Sequence, residues 1–485
     1  MFNPRVSPNY RWVRVSTRPS YQLARKQGIG VRMREFIDFL PFRRDDGLSR
    51  FSFERSLDEL GVPATDMSPE DELVQLLNEA AEIEQGLMLQ YLYAAYSLKV
   101  LIAAGAVRLI AIEEMGHFVT VQNLLVACGA APSFGRGRWD QGNAFKPFPY
   151  RLEAASVGSL AKYVVAEMPD PALVPADVKP DLSDIIALAD KSAGEPVEAH
   201  RVGLLYAKIY WLLRQNDDPL PDPTKEPWVG FPVAEMAANP DLRGRHVRDG
   251  FVNDARDVNA TPDQWRGNYT SVIVDPISGR DSALAAIAEI AAQGEGFGNV
   301  AQSHFGRFVD AWRLAKTSSD LALPVAVDPF YAKSGGGPGD EITTADGRLF
   351  ALMADKVYEL VLLCIAAHLL LPKATAPEIR AKPAKAAIVA MRDCLSVLAG
   401  TLSTIVLSDQ IQGKVCGLPF TAPSTPLAPD LKKVVVRARD VMAELHQVIS
   451  EVDQSNASST LKITADSIGD TLDDPIKPLL ESVPA

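Results

Sequence analysis

The stretch Val107-Arg-Leu-Ile-Ala-Ile-Glu-Glu-Met-Gly-His-Phe-Val-Thr-Val-Gln-Asn-Leu-Leu125 sets a carboxylate and an imidazole into the apolar stripe of a helix. Val107, Ile110, Glu114, His117, Val121 and Leu124 recur at the three- and four-residue spacing of one helical face, so Glu114 and His117 point where the hydrophobic side chains point. A solvated charge would lie on the opposite face. Burying an ionised carboxylate costs several kcal/mol, roughly, unless a cation or a hydrogen-bond network offsets it. In helical-bundle carboxylate proteins a Glu-x-x-His pair on one helix and a Glu from a neighbouring helix form such a site, with a metal carrying the compensating charge.

The preceding stretch supplies the neighbour. Ser68-Pro-Glu-Asp-Glu72 reads as a helix start, with a capping serine, proline at the first helical position and acids in the first turn. The apolar face that follows runs Leu73, Leu77, Ala80, Glu84, Leu87, Tyr91, Ala95, Leu98, with Glu84 in its middle and Glu82 rotated away. The short connection Ile102-Ala-Ala-Gly-Ala106 makes the two helices antiparallel neighbours, which brings Glu84 beside Glu114 and His117. Glu113 is rotated off the stripe and fits a contact that orients a ligand, or a surface contact. Tyr91 belongs with Met88, Tyr93 and Tyr96 to a set at helical spacing, mostly core, from which a tyrosine near a metal would supply a hydrogen bond or a redox-active neighbour.

Further along, Asp281 to Ala292 is helical and Glu295 extends its face beyond Gly294, near a C-terminus where the helix dipole disfavours a carboxylate. A water-facing loop acid is the ordinary alternative. His304 shares a helix face with Phe308, which fits either a ligand or a core histidine. His200, His246, His368 and His446 show no clustered spacing, and His368 in its apolar run reads as a buried, hydrogen-bonded imidazole.

A chain of 485 residues with 47% hydrophobic and 23% charged residues has the make-up of a globular protein with a large core. The net charge of −12 argues against a nucleic-acid surface, which draws on clustered Lys and Arg. Cys128, Cys364, Cys394 and Cys416 lie far apart without a Cys-x-x-Cys pair, so neither a zinc ribbon nor a disulfide framework is indicated and a reducing cytoplasm is expected. Leu360 to Leu371 is the most apolar run, but it is short for a bilayer and contains His368, so no membrane partner is expected.

The expected organisation is an all-α protein: an N-terminal arm over 1–66, partly disordered; a bundle with inserted loops over 67–330; further helices over 331–455; and a weakly patterned acidic tail over 456–485. The four bundle helices are expected near 69–100, 105–128, 196–215 and 281–314. Ser156 to Met168 is a further, weaker helix. The segment from Gly129 to Pro149, rich in Gly, Pro and aromatics, is a loop placed to cover a site.

Glu84-Gln-Gly-Leu-Met-Leu-Gln-Tyr-Leu-Tyr-Ala-Ala-Tyr-Ser-Leu98, Ile112-Glu-Glu-Met-Gly-His-Phe118 and Asn123-Leu-Leu-Val-Ala-Cys-Gly-Ala-Ala-Pro132 resemble the ferritin-like iminophenylpyruvate dimer synthase family, a domain also found in the larger bis-indole pyrrole-forming enzymes of violacein and rebeccamycin biosynthesis. Gln293-Gly-Glu-Gly296 with Ser303-His-Phe-Gly-Arg-Phe308 is similar to a second family block, and Gly417-Leu-Pro-Phe420 to a third. The resemblance implies a ferritin-like four-helix bundle extended by C-terminal helices, and it places Glu84, Glu114, His117, Glu295 and His304 at the family's iron-binding positions. One position departs. Where the family usually carries an acid on its third helix, Arg201-Val-Gly-Leu-Leu-Tyr206 has Leu204, which leaves the ligand set one carboxylate short; Glu198 would replace it only with a shifted helix.

The resulting expectation is a metal-dependent oxidoreductase. It would be a non-haem iron oxidase or oxygenase, with one or two Fe(II) ions, and Mn or Zn as alternatives under the same ligand rules. It would act with O₂ on an aromatic amino-acid-derived small molecule, in a reaction resembling the oxidative dimerisation of indole-3-pyruvate imine. Glu113 and Tyr91 would orient ligands or relay a proton, and a homo-oligomer is a compatible assembly. A non-catalytic metal-binding or scaffolding bundle is the rival, and a bundle whose buried acids pair with Arg or Tyr is the third reading. If Glu114 is a ligand, Glu114→Ala is expected to remove metal and activity while barely lowering, or even raising, the stability of the metal-free protein, because it relieves like charge.

Overall fold

The computed structural model describes residues 67–135, 146–169, 174–194, 199–215, 244–248, 251, 259–265, 269–295, 300–331, 339–372, 374–410, 413–423, 427 and 429–482. The expected arm, the glycine-rich connection around Gly335 and Glu198 lie outside these residues.

Helix α1 (Pro69–Ser97) starts as the sequence indicates: the Ser68 hydroxyl accepts from the Asp71 amide, and Glu70, Asp71 and Glu72 occupy the first turn. Helix α2 (Leu101–Ala127) follows after only three residues and packs along α1. The connection expected at 102–106 is therefore helical. Its alanines favour helix strongly enough to carry Gly105, whose missing side chain faces open space.

Around this pair stand α3 (Val157–Ala166), α4 (Leu182–Ala193), α5 (Gly203–Leu213), α6 (Arg280–Glu295) and α7 (His304–Thr317). Helix α5 packs on α1 and α6, while α7 packs on α2 and α3, so the central pair is flanked on both sides. Helix α5 begins later than the expected 196, because residues 199, 200 and 202 give their amides to other segments: Ala199 N–H donates to Asp190 Oδ1 at 3.1 Å, His200 N–H to Pro147 O at 2.8 Å and Val202 N–H to Ala166 O at 2.9 Å. The helix expected over 281–314 is two helices. Helix α6 ends at Glu295, and α7 is restarted by Ser303, whose hydroxyl accepts from Gly306 N–H at 3.1 Å.

A second layer contains α8 (Ala345–Leu370), α9 (Pro377–Val389), a π-helical segment (Ala390–Leu395), α10 (Ser396–Leu402), α11 (Leu431–Gln454) and α12 (Ser459–Ser482). The weakly patterned tail is thus a helix. Ala465, Ile468, Leu472 and Ile476 hold the three- and four-residue spacing of a buried face, diluted in sequence by acids on the other side. Among the described residues β-pairing is limited to isolated bridges such as Leu98 with Ala322, and the fold is all-α. No described helix is long and apolar enough to cross a membrane.

Candidate metal centre

Five helices deliver side chains to one buried point. Midway along α1, Glu84 faces Glu114 and His117 of α2, Glu167 comes from the C-terminal end of α3, Tyr206 from α5 and His304 from the first position of α7. Glu84, Glu114 and His117 are each 2% exposed and His304 is fully buried.

His117 Nδ1 lies 2.9 Å from Glu114 Oε2 and 3.6 Å from Glu84 Oε2. His304 Nδ1 lies 2.8 Å from Glu114 Oε1 and 3.5 Å from Glu167 Oε2. Ligand-capable atoms of Glu114, His117 and His304 all fall within 4.8 Å of one another, the spread of donors around a single cation. Glu84 Oε2, Glu114 Oε1 and His304 Nδ1 are buried yet make no hydrogen bond. The 2.8 Å approach of Glu114 Oε1 to His304 Nδ1 is thus proximity without hydrogen-bond alignment, as when two donors aim at a common third atom. These residues fit a divalent cation.

The far nitrogens of both imidazoles are already engaged. His117 Nε2 is 2.9 Å from Gln293 Oε1, and Gln293 in turn donates to Ser271 O at 2.8 Å. His304 Nε2 is 3.1 Å from Glu113 Oε2, which also takes Arg307. With Nε2–H donating in each case, both rings turn Nδ1 towards Glu114. Glu113 thus sits behind His304 rather than in the cluster.

The electrostatics have the same shape. Burial would raise the Glu114 carboxyl, but His304 and His117 beside it hold it well below the usual range. Burial and the Glu114 charge push Glu84 up to about 8, and the same two causes raise Glu167. Burial acts against the imidazolium of His117, yet Glu114 and Glu84 raise it to about 10. Burial likewise opposes the charge on His304, which Glu114, Glu113 and Glu167 raise well above its ordinary value. Protons on Glu84 and the imidazoles thereby do the neutralising work that a cation would do on deprotonated ligands.

Glu295, the last residue of α6, lines the same cavity of about 30 Å³ as Glu84, Glu114, His117, Glu167 and Tyr206. It stands apart from the Glu114–His117–His304 cluster, against Gly203, where any β-carbon would overlap its Oε1. Tyr91 donates to Glu167 Oε1 at 2.7 Å, and Tyr206 donates a short hydrogen bond to Glu84. Glu167, Tyr206, Gln293 and Arg307 were not picked out from sequence. For Glu167 a signal existed: an acid closing the apolar run Tyr163-Val-Val-Ala166, at the helix end where the dipole opposes it. Leu204 lies in the first turn of α5, its side chain outside the described residues. The carboxylate against that turn is Glu295, which abuts Gly203.

The remaining histidines have other partners. His368 is fully buried, 3.0 Å from Arg380 O, and burial lowers it to about 4, so it is a neutral core imidazole. His246 Nδ1 lies 2.9 Å from Trp211 O and His446 Nε2 3.0 Å from Asp473.

Comparison with known proteins bears on the fold of this part of the chain. The chain is 28% identical over 396 residues, 73% of its length, to 2-imino-3-(indol-3-yl)propanoate dimerase of Chromobacterium violaceum. It is 26% identical over 396 residues, 70% of its length, to dichlorochromopyrrolate synthase of Lentzea aerocolonigenes. The alignments cover 34% and 35% of those two proteins, so the chain spans about a third of the length of the curated relatives it matches. No solved structure matches it. The family model that matches covers residues 77–311, from the middle of α1 through His304 into α7, and this part of the chain is a ferritin-like domain.

Proposed function

We propose that the chain is a non-haem iron oxidase or oxygenase acting with O₂ on an aromatic amino-acid-derived small molecule, in a reaction resembling the oxidative dimerisation of indole-3-pyruvate imine. The observation that carries this reading is the buried cluster of Glu114, His117 and His304, whose donor atoms lie within 4.8 Å of one another, with hydrogen-bond-free Glu114 Oε1, His304 Nδ1 and, beside them, Glu84 Oε2. Glu84, Glu114, His117, His304 and Glu167 would hold the metal, with Glu295 at the rim of the cavity. Iron bound there supplies one-electron chemistry and a place for O₂, and Mn or Zn would satisfy the same donors.

The chain's own residues then divide the remaining work. Gln293 and Glu113 hold the two Nε2–H groups and so fix which nitrogen each imidazole offers. Arg307 offsets the charge of Glu113 and keeps it behind His304. Tyr91 keeps its proton, because burial and Glu167 push its phenol well above the ordinary value, and it donates a hydrogen bond to Glu167 Oε1. Tyr206 does the same for Glu84. The names of the two relatives support an aromatic substrate class.

Leu204 favours a second reading, a metal-binding or scaffolding bundle without turnover. The test has two stages. Protein made with added iron is expected to contain stoichiometric metal; a metal-free, normally folded product would refute the centre. Iron-loaded protein given indole-3-pyruvate and ammonia is expected to consume O₂ above a free-iron control, whereas a scaffold would show none.

A further inference from the structure

A second cavity, of about 80 Å³, lies where α1 and α2 meet the C-terminal layer, and it shares no lining residue with the metal cavity. Helix α1 turns Glu84 and Leu87 to the metal cavity but Met88 and Tyr96 to this one. Helix α2 likewise turns Glu114 and His117 one way and Met115 the other. The two cavities therefore occupy different flanks of one helix pair.

Three methionines, Met88, Met115 and Met391, line it together with Trp265 and Tyr269. Thioethers are flexible, polarisable and favourable against aromatic faces, and the rings add edge and face contacts. The far wall belongs to the π-helical segment Ala390–Leu395, an irregularity that recurs at functional sites. The charges on the lining are two arginines with no carboxylate among them. Asp393 engages Arg392 through two bonds of 2.6 Å. Arg108 is exposed and makes no hydrogen bond or ion pair with the described residues.

We propose that this cavity binds a small aryl carboxylate, its ring among the methionines and its carboxylate on the Arg108 guanidinium. The cavity is smaller than the roughly 150 Å³ that takes benzene, and the flexible thioethers of Met88, Met115 and Met391 are the groups that would move aside for a ring. A guanidinium at the mouth selects a planar anion over a neutral isostere. The site stands independently of the metal reading, since neither its lining nor its test involves the metal.

The experiment is calorimetric titration of the full chain with phenylacetate and with its neutral isostere phenylacetamide. Phenylacetate is expected to bind saturably below millimolar concentration, and Arg108→Gln to weaken it about tenfold while leaving phenylacetamide unchanged. Met391→Trp, which fills the cavity, is expected to abolish binding of both ligands at unchanged metal content. Arg108 is exposed, so its variant keeps the test valid if the filled variant fails to fold. Absence of saturable phenylacetate binding, or equal binding by wild type and Arg108→Gln, would overturn the proposal.

Discussion

Glu84 and Glu114 face one cavity and hold their protons in opposite ways, which decides what each substitution reports. Glu114 lies between His117 and His304, and it holds both imidazolium charges in the metal-free protein. Glu114→Ala therefore removes the partner of two buried cations, with an expected loss of about 3 kcal/mol or more. That reverses the expectation that relief of like charge would leave the metal-free protein unharmed, because the like charge is already quenched by a proton on Glu84. Glu84 is the informative position. Its carboxyl, raised to about 8, is neutral at pH 7, so Glu84→Gln is expected to change the metal-free melt little while sharply lowering metal content. Thermal melts with chelator and metal analysis of the two variants check this, and a large loss of metal-free stability in Glu84→Gln would refute it. The same groups set a pH dependence. The favourable contribution of His117, raised from 6.5 to about 10, is fully present below pH 6.5 and lost as pH rises towards 10. Glu84, raised from 4.5 to about 8, also weakens folding as pH climbs through that interval. Stability of the metal-free protein should thus fall between pH 6.5 and 8, while the increment from added metal, which needs deprotonated ligands, should grow. Melts with and without metal across that range would refute the assignment if the increment shrank.

The Glu-x-x-His segment of α2 also depends on how closely other elements approach it. A β-carbon at Gly116 would meet the backbone oxygen of Ile273, which cannot swing away as a side chain can. Gly116→Ala is therefore expected to destabilise by about 1–3 kcal/mol, despite the better helix propensity of alanine, and to lower metal affinity by shifting His117. Denaturant melts and metal titration check both; a stabilised variant would show that the 272–273 segment yields. Ligands borne on long, periodic helices are legible in sequence, because a polar residue on an apolar stripe is a contradiction that needs a partner. Glu84, Glu114 and His117 announce themselves in this way, and the structure places them together. Glu167 is announced less plainly, since it closes the apolar run of a ten-residue helix and does not interrupt a longer stripe. Gln293 is an ordinary polar residue until the fold brings it behind His117, and Arg307 until Glu113 comes against it from a distant segment. The start of α5 was misplaced for a related reason: tertiary hydrogen bonds claim the amides of 200 and 202.

On the scale of the molecule, the ferritin-like part and the C-terminal layer are coupled by packing, and the candidate donors lie in the former. The site residues all come from the first seven helices, whereas α12 packs on α9, on the π-helical segment and on α11. Its buried face consists of Ala465, Ile468, Leu472 and Ile476. Burial of each of its larger side chains contributes roughly 1.5–3 kcal/mol, and removing α12 also uncovers the faces of α9 and α11. A chain ending at Ala457 is therefore expected to lose several kcal/mol, on the order of a few burials, and to melt at a clearly lower temperature. Its metal stoichiometry should stay unchanged at temperatures where it is folded, since none of the helices that α12 packs on brings a donor to the cluster. Denaturant unfolding of metal-loaded and metal-free truncated protein, with metal analysis of the folded fraction, tests both parts. If folded truncated protein binds no metal, the layer takes part in forming the centre; if its stability is unchanged, the α12 packing face contributes nothing and the burial argument fails.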